Sequence, residues 1–175
     1  MRRLLLLRHA KSDWSEPGAS DHERPLNRRG RDAAPRIGAY LRRHRLMPDS
    51  VLCSTARRTR DTWTLVAAEI PDAASATYVE RIYEATPRTL LGILRDAEPG
   101  GAALLVVGHN PGLHELATQL IASGDLDDRE RLREKLPTGG LVVIDFAIAE
   151  WSKLHARSGR LERFVVPRML EAATD

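Results

Sequence analysis

The sequence predicts one three-layer α/β domain with a mostly parallel central sheet, and three observations predict it. Apolar runs of strand length alternate with segments whose apolar residues recur at helical spacing. The clearest run, Ala102 to Val107, is continuously apolar, as a strand buried on both faces must be. At 175 residues the chain suits a single domain spanning 1–175 and is short for two.

Met1 to Arg8 carries a leucine run that stops at a polar cluster, so it reads as a buried strand feeding a loop, with His9 at its end. Ala33, Ala34, Ile37, Tyr40 and Leu41 then define a helix over Arg28 to Arg43, with Pro35 as a candidate kink and Pro48 beyond its end. Ser50 to Cys53 is the next strand. A helix over about Ala56 to Ile70 follows, with Trp63, Val66 and Ala67 on one face and Pro71 as its stop. Tyr78 to Ile82 reads as a weaker strand. Pro87 opens a helix that includes Thr89 to Asp96, ahead of the turn Glu98-Pro99-Gly100-Gly101. After the strand Ala102 to Val107, Gly108-His109-Asn110-Pro111-Gly112 breaks the run before a helix over Leu113 to Ile121, for which Gly124 is the expected stop. Asp125 to Lys135 reads as a solvated loop or short helix, and Leu141 to Phe146 and Arg160 to Val166 as late strands. Ligands of such sheets bind beyond the carboxyl ends of the strands, where His9 and His109 both fall.

Composition narrows the function classes. Hydrophobic residues make up 42% and charged residues 29%, the balance of a soluble globular protein. The opening apolar run, Leu4 to Leu7, is far short of a bilayer span or a signal-peptide core, so neither membrane association nor export is expected. A single cysteine, Cys53, excludes an internal disulfide framework and fits a reducing compartment, with the cytoplasm as the expected location. The net charge of +3 is compatible with anionic partners without selecting among them.

Transferring a phosphoryl group requires a nucleophile in line with the leaving atom and fixed positive charge around the equatorial oxygens. Arg8 and His9 supply one of each: a planar donor fork that is always charged, and an imidazole that the adjacent guanidinium helps keep neutral. Ser54 to Thr62 starts a helix directly after a strand and points N–H groups and arginines at the same edge, and Gly108 to Gly112 does likewise from the fourth strand.

Four ordered segments, Leu7 to Trp14, Asp21 to Leu26 with Arg29-Gly30, Ser54 to Thr62, and Val107 to Gly112, resemble the motifs of the short phosphohistidine phosphatases. These belong to the histidine phosphatase superfamily, which also holds the cofactor-dependent phosphoglycerate mutases, and the resemblance runs from Arg3 to about Pro167. It implies a phosphoglycerate mutase-like fold, His9 as the phosphorylated nucleophile, and Arg8, Arg58 and His109 as the holders of the phosphoryl oxygens. Arg58 follows from the family's serine-to-arginine spacing, counted from Ser54; Arg57 is the alternative, about 100° away on a helix. Departures from the usual pattern are Ala10 for glycine, Thr55 for proline, and Thr59 and Asp61 for alanine and glutamine. Alanine after the nucleophile is frequent in the phosphohistidine branch. The resemblance also offers Glu84 as the proton donor to the leaving group, with Asp13 as a rival, and Arg24 as a substrate-binding residue at the pocket mouth that could equally be a structural partner of Asp21. Thr138-Gly139-Gly140 matches a family loop, although glycines before a strand ordinarily serve backbone geometry.

Rival chemistries fit less well. Cys53 lacks an arginine six residues on, where a cysteine phosphatase needs one, since position 59 is threonine. His109 and His114 are five apart, off the i, i+4 face that paired metal ligands need, so no metal and no cofactor is expected. Gly108 to Gly112 lacks the Gly-Lys-Ser/Thr ending of a nucleotide-binding P-loop. A non-enzymatic nucleic-acid-binding module rests only on a pI of 9.4 and dispersed arginines, without a stacking platform, and no nucleic-acid partner is expected. The expected partner is a phosphorylated protein, and the short connections, which leave little chain for a lid, favour phosphohistidine presented on a protein surface. The alternative is a small phosphorylated metabolite such as a sugar phosphate.

Overall fold

A computed structural model of the chain describes residues 1–98 and 101–171. The expected turn at 98–101 lies partly outside the described residues. Seven strands form one sheet in the order β3-β2-β4-β1-β6-β7-β5, with β1 at Arg2–Arg8, β2 at Ser50–Ser54, β3 at Ala76–Val79, β4 at Ala103–Gly108, β5 at Ile121–Gly124, β6 at Leu141–Phe146 and β7 at Gly159–Val165. Only β6 runs against the others, pairing antiparallel with β1 and β7, so the sheet is mostly parallel.

The leucine run of β1 is continuous because both faces of the sheet are covered. Leu5 and Leu7 enter the layer beneath α1 (Arg28–Arg43) and α2 (Arg57–Ala67), while Leu4 and Leu6 enter the layer beneath α3 (Pro87–Arg95) and α4 (Gly112–Leu120). In β4, Leu105 and Val107 divide from Leu104 and Val106 in the same way. Helix α1 runs unbroken through Pro35, capped at its start by the Asn27 side chain, which accepts from the Gly30 N–H.

Three expectations need correction. The weaker strand is Ala76–Val79 and gives way to a 3-10 turn over Glu80–Ile82, in which Ile82 is buried. The helix expected to Ile70 ends at Ala67. Gly124 closes no helix: α4 ends at Leu120 and the chain passes directly into edge strand β5, where a side chain at Gly124 would sit 2.6 Å from the Leu161 carbonyl. The segment left as loop or short helix forms α5, Leu126–Glu134, capped by Asp125. Among the described residues no helix is long and apolar enough to cross a membrane.

Parallel register brings the strand ends level. Arg8 pairs with Gly108, Cys53 pairs with Val107, and the His9 N–H donates to the Gly108 carbonyl at 3.1 Å, so His9, Ser54 and His109 emerge side by side at one edge of the sheet.

Candidate active site

His9 is 6% exposed, and its Nδ1 lies 2.7 Å from the carbonyl of Ala10. A carbonyl can only accept, so Nδ1 carries the ring hydrogen and Nε2 keeps its lone pair. Burial pushes the His9 pKa down to about 4, with Arg58, Arg8 and Arg24 adding to the shift against the Ala10 hydrogen bond. The ring is therefore neutral at physiological pH. Its backbone is braced from two sides. Gly139, at φ 72°, donates its N–H to the carbonyls of Arg8 and His9, and Ala10 N–H donates to Thr62 Oγ1, whose hydroxyl donates in turn to the Arg58 carbonyl. The Thr138–Gly140 loop thus serves the backbone of the His9 segment.

The ring of His109 lies 5.4 Å from that of His9. Its Nε2 is 2.7 Å from Ser54 Oγ, and burial, then His9 and Arg58, push its pKa down to about 3. Ser54 Oγ accepts from the Ala56 N–H and ties His109 Nε2, which leaves Nδ1 as the ring nitrogen without a partner.

Three arginines complete the wall. Arg8 donates to the Leu136 carbonyl at 3.0 Å. Arg58 is 6% exposed and donates to Asp21, through NH1 to the backbone carbonyl at 2.7 Å and through NH2 to Oδ2 at 3.1 Å. Arg24 donates to Ser12 Oγ and to Asp21 Oδ1, and its guanidinium stacks 3.5 Å from the centre of the Trp14 ring. Close packing holds the Arg24 segment to the nucleophile loop: Ser12 bridges to Leu26, and a side chain at Gly30 would meet the Lys11 carbonyl at 2.1 Å. Arg57, by contrast, points outward, 49% exposed in its side chain and paired with Asp61 at 3.5 Å. The 100° step between neighbouring helical residues separates the two arginines as the spacing argument requires.

Around His9 these residues enclose a pocket of about 250 Å³, which also takes in Lys11, Ser12, Trp14, Asn110 and Thr138. Among the described residues the buried side-chain polar atoms without a partner are Nε of Arg8, Arg24 and Arg58, Nδ1 of His109, and Oδ1 of Asn110. All five residues line this pocket. Buried polar groups are ordinarily satisfied, so this concentration of unpartnered polar side chains, three of them guanidinium groups, beside the His9 imidazole suits an anion.

Glu84 does not line that pocket. It is exposed, holds a left-handed backbone at φ 56°, and edges a neighbouring cavity of about 410 Å³ that shares Arg58, His109 and Asn110 with the first. Its turn is fixed by close approach, since a side chain at Gly112 would lie 2.0 Å from the Ala85 carbonyl. Asp13 is tied locally, accepting from Ser15 N–H. Cys53 is fully buried, and burial pushes its thiol pKa up to about 12, which removes it as a nucleophile. His114 bonds to the Leu132 carbonyl. Sequence reasoning offered Asp21 as a partner of Arg24 but missed its bonds to Arg58 and to Tyr83, whose hydroxyl donates to Oδ2, and missed Ser54 as the partner of His109.

Comparison with known proteins agrees with the geometry. The model of the histidine phosphatase superfamily (branch 1) matches residues 4–93. An uncharacterized protein of Mycobacterium tuberculosis is 38% identical over 164 residues, covering 93% of this chain and all of that protein. The crystal structure of SixA from Agrobacterium tumefaciens superimposes with a TM-score of 0.79 at 30% identity, over 95% of this chain and 98% of that one. SixA from Nakamurella multipartitia gives 0.81 at 28%, over 95% and 96%. With the family model spanning the nucleophile segment and α2, and with SixA matching nearly end to end, the chain belongs to the histidine phosphatase superfamily, in its short SixA-like branch.

Proposed function

We propose that the protein is a phosphohistidine phosphatase that works through a phosphorylated His9. The observation that carries the reading is the pocket lined by Arg8, Arg24, Arg58 and His109, each with an unpartnered buried polar atom, beside a neutral imidazole whose Nε2 is free. Nε2 attacks phosphorus, the bond to the leaving group breaks, and the arginines hold the equatorial oxygens through the transition state. Water then attacks the phosphohistidine and releases inorganic phosphate, regenerating His9. The likeness to SixA proteins described as candidate phosphohistidine phosphatases supports a phosphohistidine-bearing protein as substrate. An imidazole leaves readily, and Glu84, at the edge of the adjoining cavity, is the proton donor for leaving groups that need one.

A second reading, hydrolysis of a small phosphate ester, is favoured by that adjoining cavity, which has room for the remainder of a metabolite. Rapid acid-free quenching during turnover should trap a base-stable, acid-labile phosphate on His9. Comparing kcat/KM for a phosphohistidine protein, free phosphohistidine and a panel of sugar phosphates decides between the readings. A tenfold preference for an ester, about 1.4 kcal/mol in the transition state, replaces the first with the second. Chelators should leave activity intact, and vanadate should inhibit strongly as a mimic of the five-coordinate phosphoryl group.

A further inference from the structure

Asp21 is an anion that lines the adjoining cavity and reaches two arginines of the anion pocket. Its carboxylate accepts from Arg24 at 3.1 Å through Oδ1, and from Arg58 at 3.1 Å and the Tyr83 hydroxyl through Oδ2, while its backbone carbonyl takes a further bond from Arg58 at 2.7 Å. Two guanidinium groups that face the same phosphoryl pocket thus share one counter-charge, and each retains an unpartnered Nε. The turn that presents Asp21, Asp21–Glu23, is anchored independently of that carboxylate: Ser20 caps it, His22 bonds to Thr55 Oγ1 at 2.9 Å, and Glu23 pairs with Arg60 at 3.2 Å. Asp21 is therefore delivered to the arginines from a fixed platform.

We propose that Asp21 is a positioning residue that sets the orientation of Arg24 and Arg58 and, as a fixed negative charge, limits the pocket's grip on inorganic phosphate so that product departs. This rests on the phosphatase reading above. Charge and geometry separate in two variants. Asp21→Asn keeps the shape and an acceptor oxygen but removes the charge; Asp21→Glu keeps the charge but displaces it by one methylene.

Calorimetric titration with inorganic phosphate and steady-state hydrolysis of p-nitrophenyl phosphate test the proposal on the full chain. Asp21→Asn should bind phosphate at least threefold tighter and lose kcat by no more than that same factor as release slows. Asp21→Glu should bind phosphate within threefold of the wild type while kcat falls at least tenfold through misdirected arginines. Wild-type phosphate affinity in Asp21→Asn, or weaker binding, overturns the counter-charge role. Wild-type kcat in Asp21→Glu overturns the positioning role. A wild-type protein that binds phosphate but turns nothing over would count against the phosphatase reading instead, and calorimetry would still judge the counter-charge role of Asp21.

Discussion

His9 and His109 end neighbouring parallel strands, are buried to nearly the same degree and stand 5.4 Å apart, yet opposite ring nitrogens are tied down. In His9 the Ala10 carbonyl takes Nδ1 and leaves a lone pair at Nε2. In His109 the Ser54 hydroxyl takes Nε2 and leaves Nδ1 unspent. Position on the sheet is shared, so it cannot be what separates the proposed nucleophile from the proposed oxygen holder. A single hydrogen-bond partner sets which nitrogen is available, and at His9 the partner is a carbonyl, which also fixes the free nitrogen as the one that offers electrons.

The largest effect should come from breaking this asymmetry at the nucleophile. His9→Ala is expected to lower kcat by more than about 10⁴-fold and to abolish the trapped phosphohistidine, because no other group can form the covalent intermediate. His109→Ala should be milder, a loss of about 10²–10³-fold, with His9 still labelled. Label surviving in His9→Ala, or vanishing only in His109→Ala, would reverse the two roles. One step down in size, Arg58→Ala should cost about 10²-fold or more, whereas Arg57→Ala, which removes an exposed pair with Asp61, should change kcat/KM by less than about threefold. The same assay run on both variants would expose an error in helical register.

Much of this was legible before the structure because the signals are local. A run of leucines covered on both faces, proline and glycine stops, and two histidines at strand ends place β1, α1, β6 and the pocket edge from sequence alone. What escaped was set by contacts distant in sequence. Strand β5 has one buried apolar residue, Ile121, in four, so it carries no periodicity, and it becomes a strand only because β7 supplies its partner. Arg24 was readable either as a pocket residue or as a structural partner of Asp21, and it is placed as both: it lines the pocket and pairs with Asp21. The link from Asp21 to Arg58, 37 residues on, and to Tyr83, 62 residues on, has no signature in spacing. Glu84 shows the limit most clearly, since its place after the third strand fits a proton donor while its position beside the neighbouring cavity follows from how Ala85 packs on Gly112.

The smallest expected effect sharpens the comparison by reading what the two histidines have in common. Both are held neutral, His9 down to about 4 and His109 down to about 3 from 6.5, chiefly by burial. The unfolded chain then takes up protons below pH 6.5 that the folded chain refuses, so stability is full above 6.5 and falls as the pH drops towards the folded values. Between pH 6.5 and 5.5 each histidine should remove about 1 kcal/mol, and the pair about 2 kcal/mol, equivalent to a drop in Tm of roughly 4–8 °C in a domain of this size. Thermal unfolding of the wild type beside His9→Asn, His109→Asn and the double variant isolates their share from that of other titrating groups. Each single substitution should flatten the acid slope by about half of what the double one achieves. An acid slope in the double variant as steep as the wild type's would mean that the histidines titrate in the folded protein as they do in the unfolded chain, and burial would then not be what keeps the His9 lone pair free.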